Sequence, residues 1–187
     1  MMDVKENNEE LVREVLFTEK QVNQAADRCA EWLGGIIKTQ RGVLVFYMLE
    51  GCRTFAQMLE KRLLRAGIEK ELIPIRTSSY QETTQSSEVV NIEDDHIQKD
   101  QIKGKTVVLI DDILDTGGTM SSLRKRMLEY GAAKVQICVL IERDIERDVN
   151  IKADMAGLKT QRKEYLAGVG LDYKGLLREL PYIAAIE

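Results

Sequence analysis

The sequence predicts an α/β protein: an open, mainly parallel, twisted sheet flanked by helices. Three observations carry that prediction. The runs "GVLVFYML", "TVVLI" and "KVQICVLI" are apolar without alternation, as strands covered on both faces are. Segments with apolar residues at helical spacing separate them, so strand and helix alternate in short units. The stretch "VVLIDDILDTGGTM", residues 107–120, carries one such strand through a turn directly into a helix.

The elements follow in chain order. Residues 1–14 are polar and acidic and read as an N-terminal extension, unlike a leader peptide, which is basic and then apolar. Thr18 and Gln21 form a capping-box pattern, and Val22, Ala25, Ala26, Cys29 and Leu33 share one helical face before Gly34-Gly35, read as a stop. After the strand "GVLVFYML", the segment "TFAQMLEKRLLRAG" places Phe55, Met58, Leu59, Leu63 and Ala66 on one stripe and ends at Gly67, a left-handed cap. A strand is predicted around Leu72 to Arg76, then "TVVLI", then a helix over "TMSSLRKRMLEYG" with Met120, Leu123, Met127 and Tyr130 inward, then "KVQICVLI". No repeat or linker interrupts the pattern, and the chain is read as one domain over residues 1–187.

Composition excludes several classes. The chain has 187 residues, 44% of them hydrophobic, and a formal net charge of −4, so no global basic charge recruits nucleic acid or an anionic membrane. Its 3 cysteines, Cys29, Cys52 and Cys138, are far apart, lack a CxxC pair and are joined by 1 histidine, His96, which argues for reduced thiols rather than a disulfide framework or zinc site. No stretch approaches transmembrane length, and a soluble cytoplasmic protein is expected. Cys52 reads first as a small buried hydrophobe and His96 as a loop residue. The clusters Lys61-Arg62 and Arg124-Lys125-Arg126 read as solvated helix faces.

In a parallel sheet the ligand site lies outside the carboxyl ends of the strands. There Thr116, Gly117, Gly118 and Thr119 open a helix, where free N–H groups and the helix dipole favour an anion. No Gly-Lys-Ser/Thr follows, so this is not a Walker loop. A bare phosphate would be repelled by Asp111 and Asp112; carboxylates suit a ligand that carries a sugar diol beside its phosphate. The implied ligand is a ribose 5-phosphate.

That motif resembles the phosphoribosyl-pyrophosphate (PRPP) signature of the type I phosphoribosyltransferases. "VLFTEKQV", "YMLEGCRTFAQML", "RTSSYQETTQSSEVV" and "AGVGLDYKGLLRELPYIAAIE" are similar, in the same order, to segments of its hypoxanthine-guanine branch. The resemblance implies that family's fold, with a small hood from the chain ends. It implies purine salvage: transfer of the 5-phosphoribosyl group from PRPP to hypoxanthine, guanine or xanthine, with Mg2+, by a homodimer or homotetramer.

Carried over by position, the resemblance implies that Asp111 and Asp112 hold the ribose hydroxyls while Asp115, Thr116, Gly117, Gly118 and Thr119 wrap the 5-phosphate. Asp115 would also be the proton acceptor near purine N7. Leu49, Glu50 and Gly51 form the loop at pyrophosphate, with Arg178 as its basic partner. Asp172 engages the metal, usually through water. Arg143 reads the 6-oxo group, Tyr165 stacks on the base unless it is a core aromatic, and Leu166 offers backbone groups. Ser79 and Tyr80 begin a mobile loop that shields an oxocarbenium-like state from water.

Three departures stand out. Glu50 replaces a common lysine, Arg143 replaces a lysine and lacks the neighbouring proline, and one extra residue precedes Tyr165. An arginine presents only donors, which disfavours adenine. The alternative function is a non-catalytic PRPP- or nucleotide-sensing regulator of the same fold, which Glu50 keeps open and the lack of a basic face opposes.

Overall fold

The structure, a computed structural model, describes residues 9–80, 89–92, 99–147 and 149–186. A 3-10 turn (Glu9–Leu11) leads into β1 (Val12–Phe17), so Val12, Arg13 and Glu14 lie in a strand rather than in a polar extension. Then follow α1 (Glu19–Thr39), β2 (Leu44–Leu49), α2 (Arg53–Arg65), β3 (Ile73–Tyr80), β4 (Val89–Ile92) and α3 (Lys99–Ile102). β5 (Thr106–Leu114), α4 (Gly118–Glu129), β6 (Lys134–Arg143), β7 (Met155–Thr160), β8 (Tyr165–Ala167) and β9 (Ile183–Ile186) complete the order.

Six strands form the main sheet in the order β4-β3-β2-β5-β6-β7; five are parallel, and β4 runs antiparallel on the edge of β3. The continuous apolar runs have the burial they predict: Val107, Val108, Leu109 and Ile110 of β5 are each 0% exposed. A separate antiparallel sheet, β1-β9-β8, joins the two ends of the chain as a hood.

Helix α1 begins as its capping box requires. The Thr18 N–H donates to Gln21 Oε1 at 2.9 Å, and the Gln21 N–H donates to Thr18 Oγ1 at 3.4 Å. It does not stop at Gly34-Gly35 but continues to Thr39. Gly34 is instead a place of close approach: a Cβ built on it would lie 2.9 Å from Ile68 Cδ1 and 3.5 Å from Leu63 Cδ2, so its bare backbone lets α2 and the turn after it pack closely. α2 ends in a Schellman-like turn at Gly67, whose φ is +70°, as expected. Ala66, however, is the exposed C-cap of α2 rather than part of its buried stripe, because the helix surrenders its register at that turn.

β5 also runs past its predicted end. Its pairing with β2 stops at Ile110, opposite Tyr47, while its pairing with β6 continues to Leu114, opposite Glu142. Among the described residues, 111–114 therefore have a paired strand on the β6 side and none on the β2 side. The chain leaves β2 toward β3 on one flank and returns as β5 on the other, which makes this opening the topological switch point of the sheet.

Candidate active site

The crevice between the ends of β2 and β5 is lined on one side by the turn after β2. The Leu49–Glu50 peptide is cis, and the Arg53 N–H donates to the Glu50 carbonyl at 3.2 Å. Gly51 is wedged tightly: a Cβ on it would come within 2.0 Å of Asp112 Oδ2. From the other side, a Cβ on Gly170 would come within 2.1 Å of the Gly51 carbonyl oxygen. Two glycines thus let the β2 turn, the β5 carboxylates and the hood loop meet with backbone nearly touching backbone.

Asp111 and Asp112 stand at the floor of the crevice. The Asp112 N–H donates to Asp111 Oδ1 at 3.0 Å, and the Ile113 N–H donates to Asp112 Oδ1 at 2.7 Å. Burial pushes both carboxyls above the usual carboxylate range; the charge of Asp112 adds to this for Asp111, while Arg178 opposes it for Asp112. Cys52, at the foot of α2, is fully packed, and burial together with the two aspartates raises its thiol well above its ordinary value. It is a poor thiolate nucleophile, in keeping with its expected role as a hydrophobe.

Beyond Leu114 the chain turns through Asp115 and Thr116 into α4. Gly117 is the N-cap with φ +83°, a conformation that favours glycine, and a Cβ there would lie 2.4 Å from Ile151 Cγ2. Gly117 offers no capping side chain, so the first amides of α4 have no partner within the helix itself. Above this turn, Arg143 Nε lies 3.3 Å from Asp115 Oδ2. The terminal nitrogens of Arg143 donate to the carbonyls of Arg162 at 2.5 Å and Glu164 at 2.8 Å. One N–H on each remains uncommitted by these bonds.

In the hood, Asp172 accepts from Arg178 at 2.8 Å and from the Gly175 N–H at 2.7 Å, so the expected metal and pyrophosphate residues are partners of one another. Tyr165 is 55% exposed, which excludes a core role, and its ring meets that of Tyr173 edge-on at 5.3 Å between centroids. Leu166 pairs with Ala185, and β8 lies at the edge of its sheet. The hood loop carries Val169 at φ +55°, rare for a β-branched residue, and is held by the Val169 N–H to Leu180 and the Gly170 N–H to Arg178.

Glu50 is exposed and lies 3.9 Å from Arg76 in the middle of β3, the residue opposite Leu49 in register. Ser79 and Tyr80 belong to β3 and pair with Val90 and Val89, while most of the expected mobile loop, residues 81–88, and His96 lie outside the described residues. Among the described residues, no group of three or more His, Cys, Asp or Glu side chains gathers as a metal site. A divalent ion near Asp172 would therefore draw most of its ligands from a bound anion and water. Four features escaped the sequence reading: Arg76, Arg147, Gly170 and Tyr173. The glycine density of "AGVGLDY" was the available signal for Gly170; the arginines look like ordinary surface charges.

Comparison with known proteins converges. The phosphoribosyl transferase domain profile matches residues 19–174. The hypoxanthine-guanine phosphoribosyltransferase of Streptococcus pneumoniae is 35% identical over 176 residues, 94% of each chain. The protein of the same name from Lactococcus lactis is 30% identical over 187 residues, covering 98% of this chain and 96% of that one. A crystal structure of hypoxanthine phosphoribosyltransferase from Staphylococcus aureus matches at a TM-score of 0.81 and 29% identity, covering 100% of this chain and 96% of the other.

Proposed function

The chain belongs to the phosphoribosyl transferase domain family, in its hypoxanthine-guanine branch, and on that premise we propose that it salvages 6-oxopurines. It transfers the 5-phosphoribosyl group of PRPP to hypoxanthine or guanine, giving the nucleoside 5'-monophosphate and pyrophosphate. The observation that best supports this is the meeting, at one switch point, of a carboxylate pair, an anion-ready helix N-terminus and a donor-rich arginine. The regulator alternative is not favoured, since the relatives are named as transferases.

In this reading Asp111 and Asp112 accept from the ribose hydroxyls. The diol replaces water lost on burial and supplies the donors that make two adjacent carboxylates tolerable. The amides from Asp115 to Thr119 take the 5-phosphate at the α4 N-terminus. As the bond to pyrophosphate lengthens, positive charge grows on the ribose, and the carboxylates beneath it favour that charge. The purine stacks on Tyr165, which Tyr173 holds edge-on, and presents its edge to the backbone of Leu166. Asp115, kept oriented by Arg143, accepts the proton from N7. The free N–H groups of Arg143 donate to the 6-oxo group and meet only a donor in adenine, so adenine is rejected.

Arg178 leaves Asp172 to neutralise the departing pyrophosphate, and the loop from Leu49 to Gly51 receives it through its backbone, with Glu50 turned to Arg76. Asp172, freed in the same exchange, offers a hard oxygen donor that fits Mg2+, an ion that keeps several waters and substrate oxygens. When bound, the ion supplies charge neutralisation at pyrophosphate. The segment from Ser79 and Tyr80 closes over the site. The chain works as a single domain and as a homodimer or homotetramer in the cytoplasm.

The test is pyrophosphate release from PRPP and Mg2+ with hypoxanthine, guanine, xanthine and adenine supplied separately. Turnover with an oxopurine and none with adenine is expected. Release with adenine alone would overturn the assignment of Arg143, and no release with any base would overturn the enzyme.

A further inference from the structure

Arg147 has no part in the scheme above, yet it is buried beside the phosphate turn, its side chain 8% exposed. Its Nε donates to the Asp115 carbonyl at 2.6 Å and one terminal nitrogen to the Leu114 carbonyl at 3.0 Å; the same nitrogen also donates to the Arg143 carbonyl. Glu142 Oε1 approaches no closer than 3.9 Å. The guanidinium is thus spent chiefly on main-chain carbonyls from two segments, the end of β5 and the end of β6.

The consequence follows from peptide geometry. A trans peptide is planar, with C=O and N–H pointing opposite ways. Holding the carbonyls of Leu114 and Asp115 toward Arg147 therefore turns the amides of Asp115 and Thr116 away from it. Arg147, Val149 and Ile151 also pack against Gly117, since a Cβ on that glycine would meet Ile151 Cγ2 at 2.4 Å, Val149 Cγ2 at 3.2 Å and Arg147 Cδ at 3.5 Å.

We propose that Arg147 is the positioning residue of the 5-phosphate turn: it aims the first two amides of that turn at the phosphate and ties them to the strand end that carries Arg143. The inference rests on the PRPP reading of the previous subsection. Arginine is required because a rigid planar fork reaches several acceptors at fixed angles; an ammonium keeps the charge and loses the fork.

The test compares wild type with Arg147→Lys by calorimetric titration of PRPP and of ribose 5-phosphate, beside steady-state turnover. The lysine variant is expected to bind both ligands at least tenfold more weakly and to raise KM for PRPP as much, with kcat lowered less than threefold and KM for hypoxanthine within threefold. Wild-type affinity for both ligands in R147K would overturn the inference, as would equal losses toward PRPP and hypoxanthine accompanied by early melting. Ile151→Ala removes the packing under Gly117 and leaves the carbonyl bonds. PRPP affinity within threefold of wild type is expected, and a tenfold loss would show that packing, not Arg147, sets the turn. If wild type binds PRPP but turns over no purine, the purine reading fails while a weakened R147K still supports the positioning role. A wild-type chain that binds neither ligand overturns both.

Discussion

At the scale of single residues, the crevice concentrates groups that are uncomfortable without a ligand. Asp111 is the sharpest case, because burial and Asp112 raise its carboxyl in the folded chain. A carboxyl whose folded value exceeds its unfolded one binds more protons when folded, so its contribution to stability is greatest in acid and falls as pH rises from the unfolded value through the folded one. Asp111→Asn is expected to melt higher than wild type at pH 7.5 without ligand, by about 2–4 °C for each ~1 kcal/mol relieved, and to lose that advantage near pH 4. The same variant should lose most PRPP affinity; a variant that melts lower at pH 7.5 would contradict the burial argument. Asp115 differs, being half-exposed and paired with Arg143. Asp115→Asn should lower kcat by about 10²–10⁴-fold while PRPP binding stays near wild type. Equal loss of both would remove its proton-accepting role. Glu50→Gln frees Arg76 and removes a negative charge from the loop proposed to receive pyrophosphate; a two- to fivefold lower KM for PRPP is expected, shrinking as salt is raised, since exposed pairs are weak and screened.

At the scale of elements, what could be read from sequence is what local chemistry decides. The capping box of α1, the Gly67 cap of α2 and the buried runs of β2, β5 and β6 all follow from residues within a few positions of one another. Gly34-Gly35 did not read correctly, because the meaning of Gly34 lies in Ile68 and Leu63, which only the fold brings near. β7, β8 and β9 carry short or unremarkable patterns, "MAGLKT", "YLA" and "IAAI", and are strands because of their neighbours. The phosphate turn was legible as chemistry, since its glycines and acids are contiguous. Arg147 was not, because nothing in "IERDIER" distinguishes a buried fork from a solvated charge. The contact between Gly51 and Gly170 joins two elements in the same hidden way. Gly170→Ala must displace either the hood loop or the turn after β2, since its Cβ would lie 2.1 Å from a backbone oxygen and the native φ of +102° disfavours any side chain. A loss of about 3 kcal/mol or more in stability or ligand binding is expected, read by thermal melting with and without PRPP.

At the scale of the whole molecule, two sheets divide the work. The parallel sheet carries the Asp111–Asp112 side of the crevice, proposed to take ribose and phosphate, and the small antiparallel sheet holds Tyr165 and the loop bearing Asp172. β9 is the middle strand of that small sheet, so its removal leaves β1 and β8 with nothing between them. Deletion of residues 183–187 is expected to abolish turnover while far-ultraviolet circular dichroism retains the signal of the α/β core; a truncated chain with wild-type KM for hypoxanthine would refute the division.

The same arrangement orders the birth of the molecule. Val12 pairs with Ile186, so β1 finds its partner only once β9 has been made. Until then β1 is an unpaired edge, and closing so long a loop is slow relative to the local strand-helix-strand units of the core. The core can assemble while the chain is still being made, domain segments folding as they emerge. The hood, proposed to bind the base, cannot. A chain cut short of β9 and released would have its phosphate turn in place and no lid of strands above it, which on the proposed reading leaves it ready for sugar and blind to purine.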